Sequence, residues 1–289
     1  MDTATNSKIT VIPTGAALAA DVVGVDLSLP ISNELYAQIR KAWNDHLVLR
    51  FRGQKLDDPQ FLKFARLFGE LDKAPIHAGK DVQNPFPEIT VMSNIKVDGK
   101  AIGNLGHYEA LWHSDMSYNE KCPIGSLLYS IEVPPVGGNT GFSNMYHAYD
   151  TLPADLKRAV TGKTCRHDSS RNSAGELRKG FKEVTDPREA PGANHPIIRT
   201  HPVTGRKNIY VNDSTTVKIV GISDSESEDI LGELRARCIR PEFVYRHHWR
   251  LGDLLMWDNC SSQHQAVADY ALPQRRRMHR TTITGTVPF

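Results

Sequence analysis

The 289-residue sequence predicts a mainly β fold with flanking helices, built as a single domain on a β-sandwich or barrel. Two observations support this fold class. Short apolar runs punctuated by Gly, Pro and Asn recur along most of the chain, as is typical of strands. Helical periodicity is gathered mainly near the N-terminus and does not alternate with the strands, which argues against a parallel βα arrangement.

The N-terminal quarter contains two clear helices. Ser32 can cap the first one, while Pro59 begins the second and Gly69 can end it. Their apolar faces consist of Leu35, Ile39 and Trp43 in the first helix and of Phe61, Phe64, Ala65 and Phe68 in the second. Short strands are predicted at residues 9–13, 24–27 and 46–51.

Further strands are predicted at residues 88–92, 125–133, 207–211, 242–246, 253–257 and 281–286. Two helical patterns cover residues 144–159, with a break before Pro153, and residues 223–237. Residues 166–195 are rich in charge, Gly, Pro and Ser and lack apolar periodicity. Because long irregular segments in compact domains are usually functional or disordered, we predict a mobile loop or lid there, inside one domain spanning residues 1–289.

The composition limits the possible classes of function. The chain is 39% hydrophobic and 24% charged with a net charge of +2, so its charge indicates neither nucleic-acid nor membrane-surface binding. No apolar run approaches the roughly 20 residues of a membrane-spanning helix, and the first eight residues do not resemble a signal peptide. The four cysteines form no C-x-x-C pair, which predicts free thiols and a cytoplasmic location.

One histidine stands out because a carboxylate follows it closely: His113 is followed by Asp115. If this segment is a strand, both side chains point to one side and could bind one metal ion, such as Fe(II). The H-x-D pair alone is weak evidence, since it occurs often by chance. A facial site needs a third ligand, for which His264, after the strand at 253–257 and its polar turn, is the best candidate. The alternative is a hydrogen-bonded loop histidine.

A cluster of arginines lies near the C-terminus, at positions 275, 276, 277 and 280. In strand alternation Arg276 and Arg280 share one face, and Arg275 and Arg277 share the other. Because a guanidinium binds carboxylates with a planar fork, two arginines near a metal could bind two anions. The alternative is a solvated basic turn; the combination with the metal-ligand candidates favours anion binding.

Several motifs make the sequence similar to a known family. They are RFRGQ at 50–54, LFG at 67–69, LWHSD at 111–115, PPVGGNT at 134–140, WDN at 257–259, and His264 followed by RRMHR at 276–280. In their order, spacing and flanking residues they resemble the taurine dioxygenase and 2,4-dichlorophenoxyacetate dioxygenase family, from about Thr10 to the C-terminus.

The resemblance implies a double-stranded β-helix (jelly-roll) core and the use of Fe(II), 2-oxoglutarate and O₂. The implied Fe(II) ligands are His113, Asp115 and His264, a triad that leaves three adjacent coordination positions open. Arg276 and Thr140 would bind the distal carboxylate of 2-oxoglutarate, and Arg280 would contact the anionic group of the substrate.

The implied reaction is hydroxylation of a substrate C–H bond, coupled to conversion of 2-oxoglutarate into succinate and CO₂. Because related halogenases replace the carboxylate ligand with a small residue, Asp115 predicts oxygenation rather than halogenation. The resemblance also implies a homo-oligomer, either a dimer or a tetramer, and a small anionic substrate such as a carboxylate, sulfonate or sulfate ester.

The substrate pocket matches the family less closely. The candidate substrate-binding residues are His77, Tyr108, Glu109, Met116, Tyr118 and Tyr210, with core packing as the alternative for the last three. Glu109 stands where taurine dioxygenase carries Asn, and residues 72–80 do not match the taurine-binding pattern, so we do not expect taurine as the substrate. An additional residue within 269–273 shifts the spacing of His264 and Arg276 by one, which leaves Arg275 and Arg277 as competitors for the role of Arg276.

Two other classes of function compete with a dioxygenase. A zinc-type hydrolase could use the same three ligands, but it would have no need of the arginine pair and Thr140. A non-catalytic binding protein on the same scaffold would have no reason to keep all three ligands.

Overall fold

The structure, a computed structural model, describes residues 8–73, 85–103 and 111–289. The α-helices in this part of the chain are α1 (Asn33–His46), α2 (Asp58–Arg66), α3 (Met145–Asp150), α4 (Ala154–Val160) and α5 (Asp224–Cys238), and a short 3-10 helix covers Pro241–Phe243. The strands are β1 (Thr10–Pro13), β2 (Ala20–Val23), β3 (Val48–Phe51), β4 (Thr90–Ser93), β5 (Lys96–Val97), β6 (Lys100–Ala101), β7 (Gly125–Glu132), β8 (Thr140–Asn144), β9 (Thr164–Asp168), β10 (Gly192–Pro196), β11 (Ile198–Thr200), β12 (Lys207–Ile209), β13 (Thr216–Ile219), β14 (Val244–His247), β15 (Leu254–Asp258), β16 (Ser262–Ala266) and β17 (Arg277–Ile283). None of the described helices has the length and apolar content needed to cross a membrane.

The first helix follows the predicted cap Ser32, and the second begins at Asp58, one residue before Pro59, because their caps are local. The Ser32 hydroxyl accepts the backbone N–H of Leu35 at 3.2 Å. In α2 the Asp57 carboxylate accepts the N–H of Gln60 at 2.8 Å, and the Gln60 side chain accepts the N–H of Asp57 at 2.9 Å, which forms a reciprocal capping box. Both N-terminal helices are therefore confirmed.

A seven-stranded sheet in the order β1-β2-β3-β15-β7-β17-β4 forms the centre of the molecule. All its described pairs are antiparallel except β2 with β3. In β15, Leu254 and Met256 pack against α1 and α2, whereas Leu255 and Trp257 pack on the opposite face. Because successive side chains in a strand alternate between faces, a sheet covered on both sides requires this continuous apolar run.

The second face of the seven-stranded sheet packs against a three-stranded sheet in the order β14-β8-β16. Phe142 of β8 joins Leu255, Trp257 and Met278 in the apolar layer between the two sheets. A third apolar cluster lies under α3, α4 and α5, with Leu231 and Leu234 of α5 among its members. The chain is thus mainly β with few helices, as predicted, and its functional candidates lie at the polar end of the layer between the two sheets.

Several predicted boundaries are wrong. The strand predicted at residues 24–27 is instead β2, which ends at Val23, and the strand predicted at 281–286 is β17, which runs from Arg277 to Ile283. Strands β8 and β16 were not predicted, because their sequences TGFSN and SQHQA lack apolar alternation. Residues 166–195 are not a continuous loop: their ends belong to β9 and β10, which pair from Cys165 with His195 to Asp168 with Gly192.

Candidate metal centre

Two histidines far apart in sequence are joined directly through their backbones. The N–H of His113 donates to the carbonyl of His264 at 3.0 Å, and the N–H of His264 donates to the carbonyl of His113 at 2.8 Å. Their rings lie 4.2 Å apart between centroids. His264 is the central residue of β16, whereas His113 forms only an isolated bridge and Asp115 already belongs to a turn. Residues 113–115 therefore do not form the strand on which the argument from the H-x-D pair was conditional, although the side chains converge.

The carboxylate of Asp115 lies between the two imidazoles. Its Oδ1 is 3.9 Å from His113 Nε2 and 3.8 Å from His264 Nε2. These three candidate ligand atoms all lie within 4.8 Å of one another. Two imidazole nitrogens and one carboxylate oxygen in this arrangement match the facial donor set of non-haem Fe(II) sites.

Each histidine presents Nε2 to the centre of the cluster. His113 Nδ1 lies 2.7 Å from the carbonyl oxygen of Leu111, to which it donates, so its Nε2 lone pair is free for a metal. His264 packs against Trp257 and Phe142, with ring centroids 4.9 and 6.1 Å away. Its Nδ1 has no hydrogen-bond partner in the described part of the chain, so packing alone fixes the orientation of this ring.

Hydrogen bonds from the seven-stranded sheet orient Asp115. Ser126 of β7 donates to Oδ2 at 2.7 Å, and Arg280 of β17 donates to Oδ1 at 2.8 Å. Asn259 donates its amide N–H to the Ser126 hydroxyl at 2.9 Å and accepts the indole N–H of Trp257 at 3.0 Å. Ser126 was not predicted as a functional residue, because nothing in the apolar sequence of β7 marks it.

A buried network of polar side chains contacts the turn that follows Asp115. Met116 has a φ of 45°, in the left-handed region that side chains other than Gly rarely adopt. The hydroxyl of the next residue, Ser117, lies 2.8 Å from the Thr215 hydroxyl and accepts the amide of Asn212 at 3.2 Å. His167 Nδ1 lies within 3.3 Å of both hydroxyls. Such a strained residue persists where its surroundings determine the backbone, and this network does so beside the candidate metal ligand.

The electrostatics of the cluster suit a metal site. Burial would raise the pKa of Asp115. The charge of Arg280, the bond from Ser126 and, in acid, the charges of protonated His264 and His113 outweigh burial and hold that pKa below its ordinary value. Burial lowers the pKa of His113, and burial together with the charge of His113 lowers the pKa of His264 to about 3. The carboxylate is therefore ionised and both imidazoles are neutral at neutral pH, which is the protonation state that binds a metal.

Arg276 is the buried member of the arginine cluster. It is only 6% exposed, and its Nε has no hydrogen-bond partner among the described residues. Its backbone N–H donates to the Asn94 side chain at 2.9 Å, and its carbonyl accepts the Ser93 hydroxyl at 2.9 Å. Burial lowers the pKa of Arg276, but an arginine stays protonated in proteins. The structure thus positions a buried cation whose Nε is free to donate.

The two competing arginines have other partners. Arg275 is exposed and its Nε donates to Glu132 at 2.7 Å, while a guanidinium nitrogen of Arg277 lies 3.3 Å from His279 Nε2. Met278 belongs to the apolar layer between the sheets, and Arg280 reaches Asp115. Even-numbered residues of β17 therefore face this layer, as the predicted alternation requires.

Thr140, the first residue of β8, has a hydroxyl with one defined partner. The indole N–H of Trp249 donates to its oxygen at 3.0 Å, so the hydroxyl hydrogen remains available for an acceptor. Gly138, two residues earlier, approaches Arg276 so closely that an added Cβ would lie 3.2 Å from the Arg276 Cδ. The loop before β8 therefore brings Thr140 into the neighbourhood of Arg276.

The predicted substrate residues have different locations. Tyr118 accepts a hydrogen bond from Arg178, and Met116 lies in the turn after Asp115. Tyr210 is 3% exposed and packs with Arg199, His167 and His195. These contacts support the core-packing alternative for Tyr210, and its place in the substrate pocket stays a prediction. His77, Tyr108 and Glu109 lie outside the described residues.

A second group of potential ligands comprises His201, Asp258 and Cys260. His201 Nε2 donates to Asp258 at 2.8 Å, and its Nδ1 accepts the N–H groups of Val203 and Thr204. The other Asp258 oxygen accepts the N–H of Cys260 at 2.6 Å. Because both ring nitrogens and both carboxylate oxygens already have protein partners, this group is a satisfied structural network.

Comparisons with known proteins agree with this geometry. The 2,4-dichlorophenoxyacetate dioxygenase of Cupriavidus pinatubonensis, described as alpha-ketoglutarate-dependent, is 34% identical over 279 residues, which cover 93% of this chain and 96% of that protein. An alkylsulfatase of Acinetobacter baylyi is 30% identical over 282 residues, covering 93% of this chain and 83% of that protein.

The crystal structure of AAD-2 in complex with Mn(II) and N-oxalylglycine superposes with a TM-score of 0.77 at 32% identity, covering 97% of this chain and 99% of that one. A model of the family described as "Taurine catabolism dioxygenase TauD, TfdA family" matches residues 10–282. Since this match spans nearly the whole chain and includes every residue of the candidate metal centre, the protein belongs to the TauD/TfdA family of dioxygenases.

Proposed function

We propose that this protein is an Fe(II)- and 2-oxoglutarate-dependent dioxygenase that hydroxylates a C–H bond of a small anionic organic substrate and releases succinate and CO₂. One observation carries the proposal: a facial set of two imidazoles and a carboxylate occurs together with a buried arginine, Arg276, whose Nε has no acceptor within residues 8–73, 85–103 and 111–289. The first group binds a divalent metal and the second binds an anion.

The donor set fits Fe(II). His113 and His264 would each donate the Nε2 lone pair, and Asp115 would donate Oδ1, the oxygen nearest to both imidazoles. When bound, Fe(II) would supply the activation of O₂ and of the substrate C–H bond. The chain itself keeps the ligands deprotonated and fixes their spacing through the backbone bridge and the bond from Ser126.

Arg276 and Thr140 would bind the distal carboxylate of 2-oxoglutarate. The guanidinium offers a planar fork of N–H groups, and the Thr140 hydroxyl, whose oxygen already accepts the Trp249 indole, would donate its hydrogen to the same carboxylate. Burial makes each of these bonds stronger than it would be in water. Together they would fix the keto-acid end of 2-oxoglutarate at the metal.

Arg280 would hold the anionic group of the primary substrate while it contacts Asp115. One relative is named for 2,4-dichlorophenoxyacetate, a carboxylate, and the other is named an alkylsulfatase. We therefore propose carboxylates, sulfonates and sulfate esters as the substrate class. The intact Asp115 supports oxygenation rather than halogenation.

The larger organisation is also part of the proposal. The two packed sheets support a double-stranded β-helix (jelly-roll) core within a single domain of residues 1–289. The mobile lid predicted around residues 166–195 would be confined to the residues between the paired strands β9 and β10. The four cysteines are free and buried, which supports a reducing, cytoplasmic location. The family resemblance supports a homo-oligomer, either a dimer or a tetramer.

The competing functions account for fewer of the contacts. A zinc-type hydrolase would use the triad but leave Arg276 without a function. A non-catalytic binding protein would not require His113, Asp115 and His264 to be oriented by separate hydrogen bonds and packing contacts.

The proposal is tested by adding Fe(II) and then 2-oxoglutarate to the metal-free protein without oxygen, while the visible absorption spectrum is recorded. We expect a weak charge-transfer band that requires both additions and is lost in Asp115→Ala. Folded protein that binds Fe(II) but develops no band with 2-oxoglutarate would contradict the proposal.

A further inference from the structure

A compact loop packs against the segment that carries the first two candidate metal ligands. This loop, residues 170–178, is closed by the N–H of Arg178 donating to the carbonyl of Ser170 at 2.7 Å and by a bridge between Arg171 and Leu177. The carbonyl of Ser173, in the middle of the loop, accepts the N–H of Leu111 at 2.6 Å. Leu111 is two residues before His113, so the loop is attached directly to the metal-binding segment.

The same loop contacts that segment again on the other side of Asp115. Arg178 donates to the Tyr118 hydroxyl at 2.7 Å, and its guanidinium carbon lies 4.5 Å from the centre of the Tyr118 ring. Arg178 Nε donates to the carbonyl of Arg171 at 3.0 Å, which holds the side chain in place. The 170–178 loop therefore spans the segment from Leu111 to Tyr118 and presents one positioned cation there.

Arg178 differs from the other cation of the loop in its partners. Arg171 forms an ion pair with Glu183. Arg178 forms no ion pair with any residue in 8–73, 85–103 or 111–289, and its defined acceptors are a tyrosine oxygen and a carbonyl. A partly buried guanidinium without a carboxylate partner is a binding group for a planar anion.

Arg178 lies beside the segment that carries His113 and Asp115, since its loop bonds to Leu111 on one side of these ligands and to Tyr118 on the other. In the proposed complex the charges of Fe(II), Asp115, Arg276 and dianionic 2-oxoglutarate cancel among themselves. Arg280, which contacts Asp115, and Arg178 then add two positive charges that these groups do not compensate.

We propose that Arg178, from a different element than Arg280, binds the anionic group of the primary substrate. This inference rests on the proposed function and adds a substrate-binding residue to it. It makes the 170–178 loop part of the substrate site, so substrates with a carboxylate, sulfonate or sulfate group should bind better than neutral molecules of the same shape.

The test uses the whole protein loaded with Mn(II) and N-oxalylglycine, which occupy the proposed cofactor sites without turnover. Titration calorimetry then measures phenoxyacetate, hexanesulfonate and hexyl sulfate against the neutral phenoxyethanol and hexanol. We expect Arg178→Gln to weaken binding of the anions at least tenfold and to leave the neutral compounds unchanged. Arg178→Lys keeps the charge but not the planar fork of N–H groups. Its affinity for the anions should lie between those of the wild-type protein and Arg178→Gln.

Lys179→Gln is the matched control, because Lys179 is the exposed neighbour and its loss changes the net charge equally. We expect it to alter anion binding less than twofold. Equal effects of Arg178→Gln and Lys179→Gln, unchanged anion binding in Arg178→Gln, or a loaded wild-type protein that binds none of the anions would each overturn the inference.

Binding of N-oxalylglycine is measured first in every variant. If it binds the wild-type protein and Arg178→Gln with equal affinity, the variant is folded and the cofactor site is intact, so a negative result concerns Arg178 alone. If it does not bind the Mn(II)-loaded wild-type protein, the proposed function itself fails.

Discussion

His113 and His264 exchange two backbone hydrogen bonds, so the spacing of the two candidate imidazole ligands is set by the main chain before any metal arrives. A site preorganised in this way does not need the metal to fold. We therefore expect His264→Gln, which keeps the backbone bridge, to weaken Mn(II) binding at least a hundredfold while the far-UV circular dichroism of the apo protein stays unchanged. Wild-type affinity in this variant would contradict the assignment of His264 as a ligand.

Replacement of Arg276 tests the 2-oxoglutarate site. A charge-assisted hydrogen bond contributes about 1.5–3 kcal/mol, so Arg276→Gln should weaken N-oxalylglycine binding to the Mn(II) protein by roughly 10- to 100-fold. Arg275→Gln, in which an exposed partner of Glu132 is lost, serves as the control and should bind it normally. Normal binding in Arg276→Gln and weakened binding in Arg275→Gln would identify Arg275 as the residue that binds the distal carboxylate.

The bond from Ser126 to Asp115 makes a prediction about metal affinity. Ser126→Ala removes a donor to the carboxylate and leaves the amide of Asn259 without its acceptor. Loss of such supporting bonds typically weakens metal binding about 10- to 100-fold. Ser130→Ala, on the same strand, removes a hydroxyl that donates to the carbonyl of Arg250. It should lower the melting temperature without a change in Mn(II) affinity.

Buried neutral histidines make the fold sensitive to acid. Burial, with the charges of His195 and Arg199, lowers the pKa of His167 to about 3, and burial lowers that of His247 to about 4. Unfolded histidine titrates near ~6.5. As the pH falls from there towards the folded pKa values, the unfolded chain takes up protons that the folded chain does not, so stability falls. Each histidine contributes about 1.4 kcal/mol per pH unit.

His167→Gln should therefore flatten the dependence of the unfolding free energy on pH between about 6 and 4 by the contribution of one histidine. Urea denaturation of the apo protein at several pH values measures the slope. Parallel slopes in the variant and the wild-type protein would show that His167 is not held neutral in the fold.

The sequence predicted those parts of the fold whose causes are local. The caps at Ser32 and Asp57 lie within three residues of the groups they bind, so helix starts could be read from neighbouring residues. Strand β16 could not be predicted, because its polar side chains find their buried hydrogen-bond partners only in segments that are distant in the sequence. Gln263, for example, donates to the carbonyl of Val211.

The candidate site likewise contains residues that the sequence predicts and residues that only the fold reveals. His113, Asp115, His264 and Arg276 could be predicted because their residue types and flanking motifs mark the chemistry. Ser126 and Arg178 could not, since the residues that they contact, Asp115 and Tyr118, belong to other elements. For Tyr210 the sequence leaves both interpretations open, because an aromatic residue at a strand end looks the same in a sequence whether it faces a ligand or the interior.

Strand β17 follows every other strand in the sequence, yet it lies between β7 and β4 in the seven-stranded sheet. During synthesis, β7 and β4 must therefore each wait with an unpaired edge until residues 277–283 leave the ribosome. Unpaired strand edges are sites of association between chains. A chain released too early would lack Arg276 and Arg280 and also expose the two edges that these residues' strand should close, so incomplete copies of this protein should be found among aggregates rather than as inactive monomers.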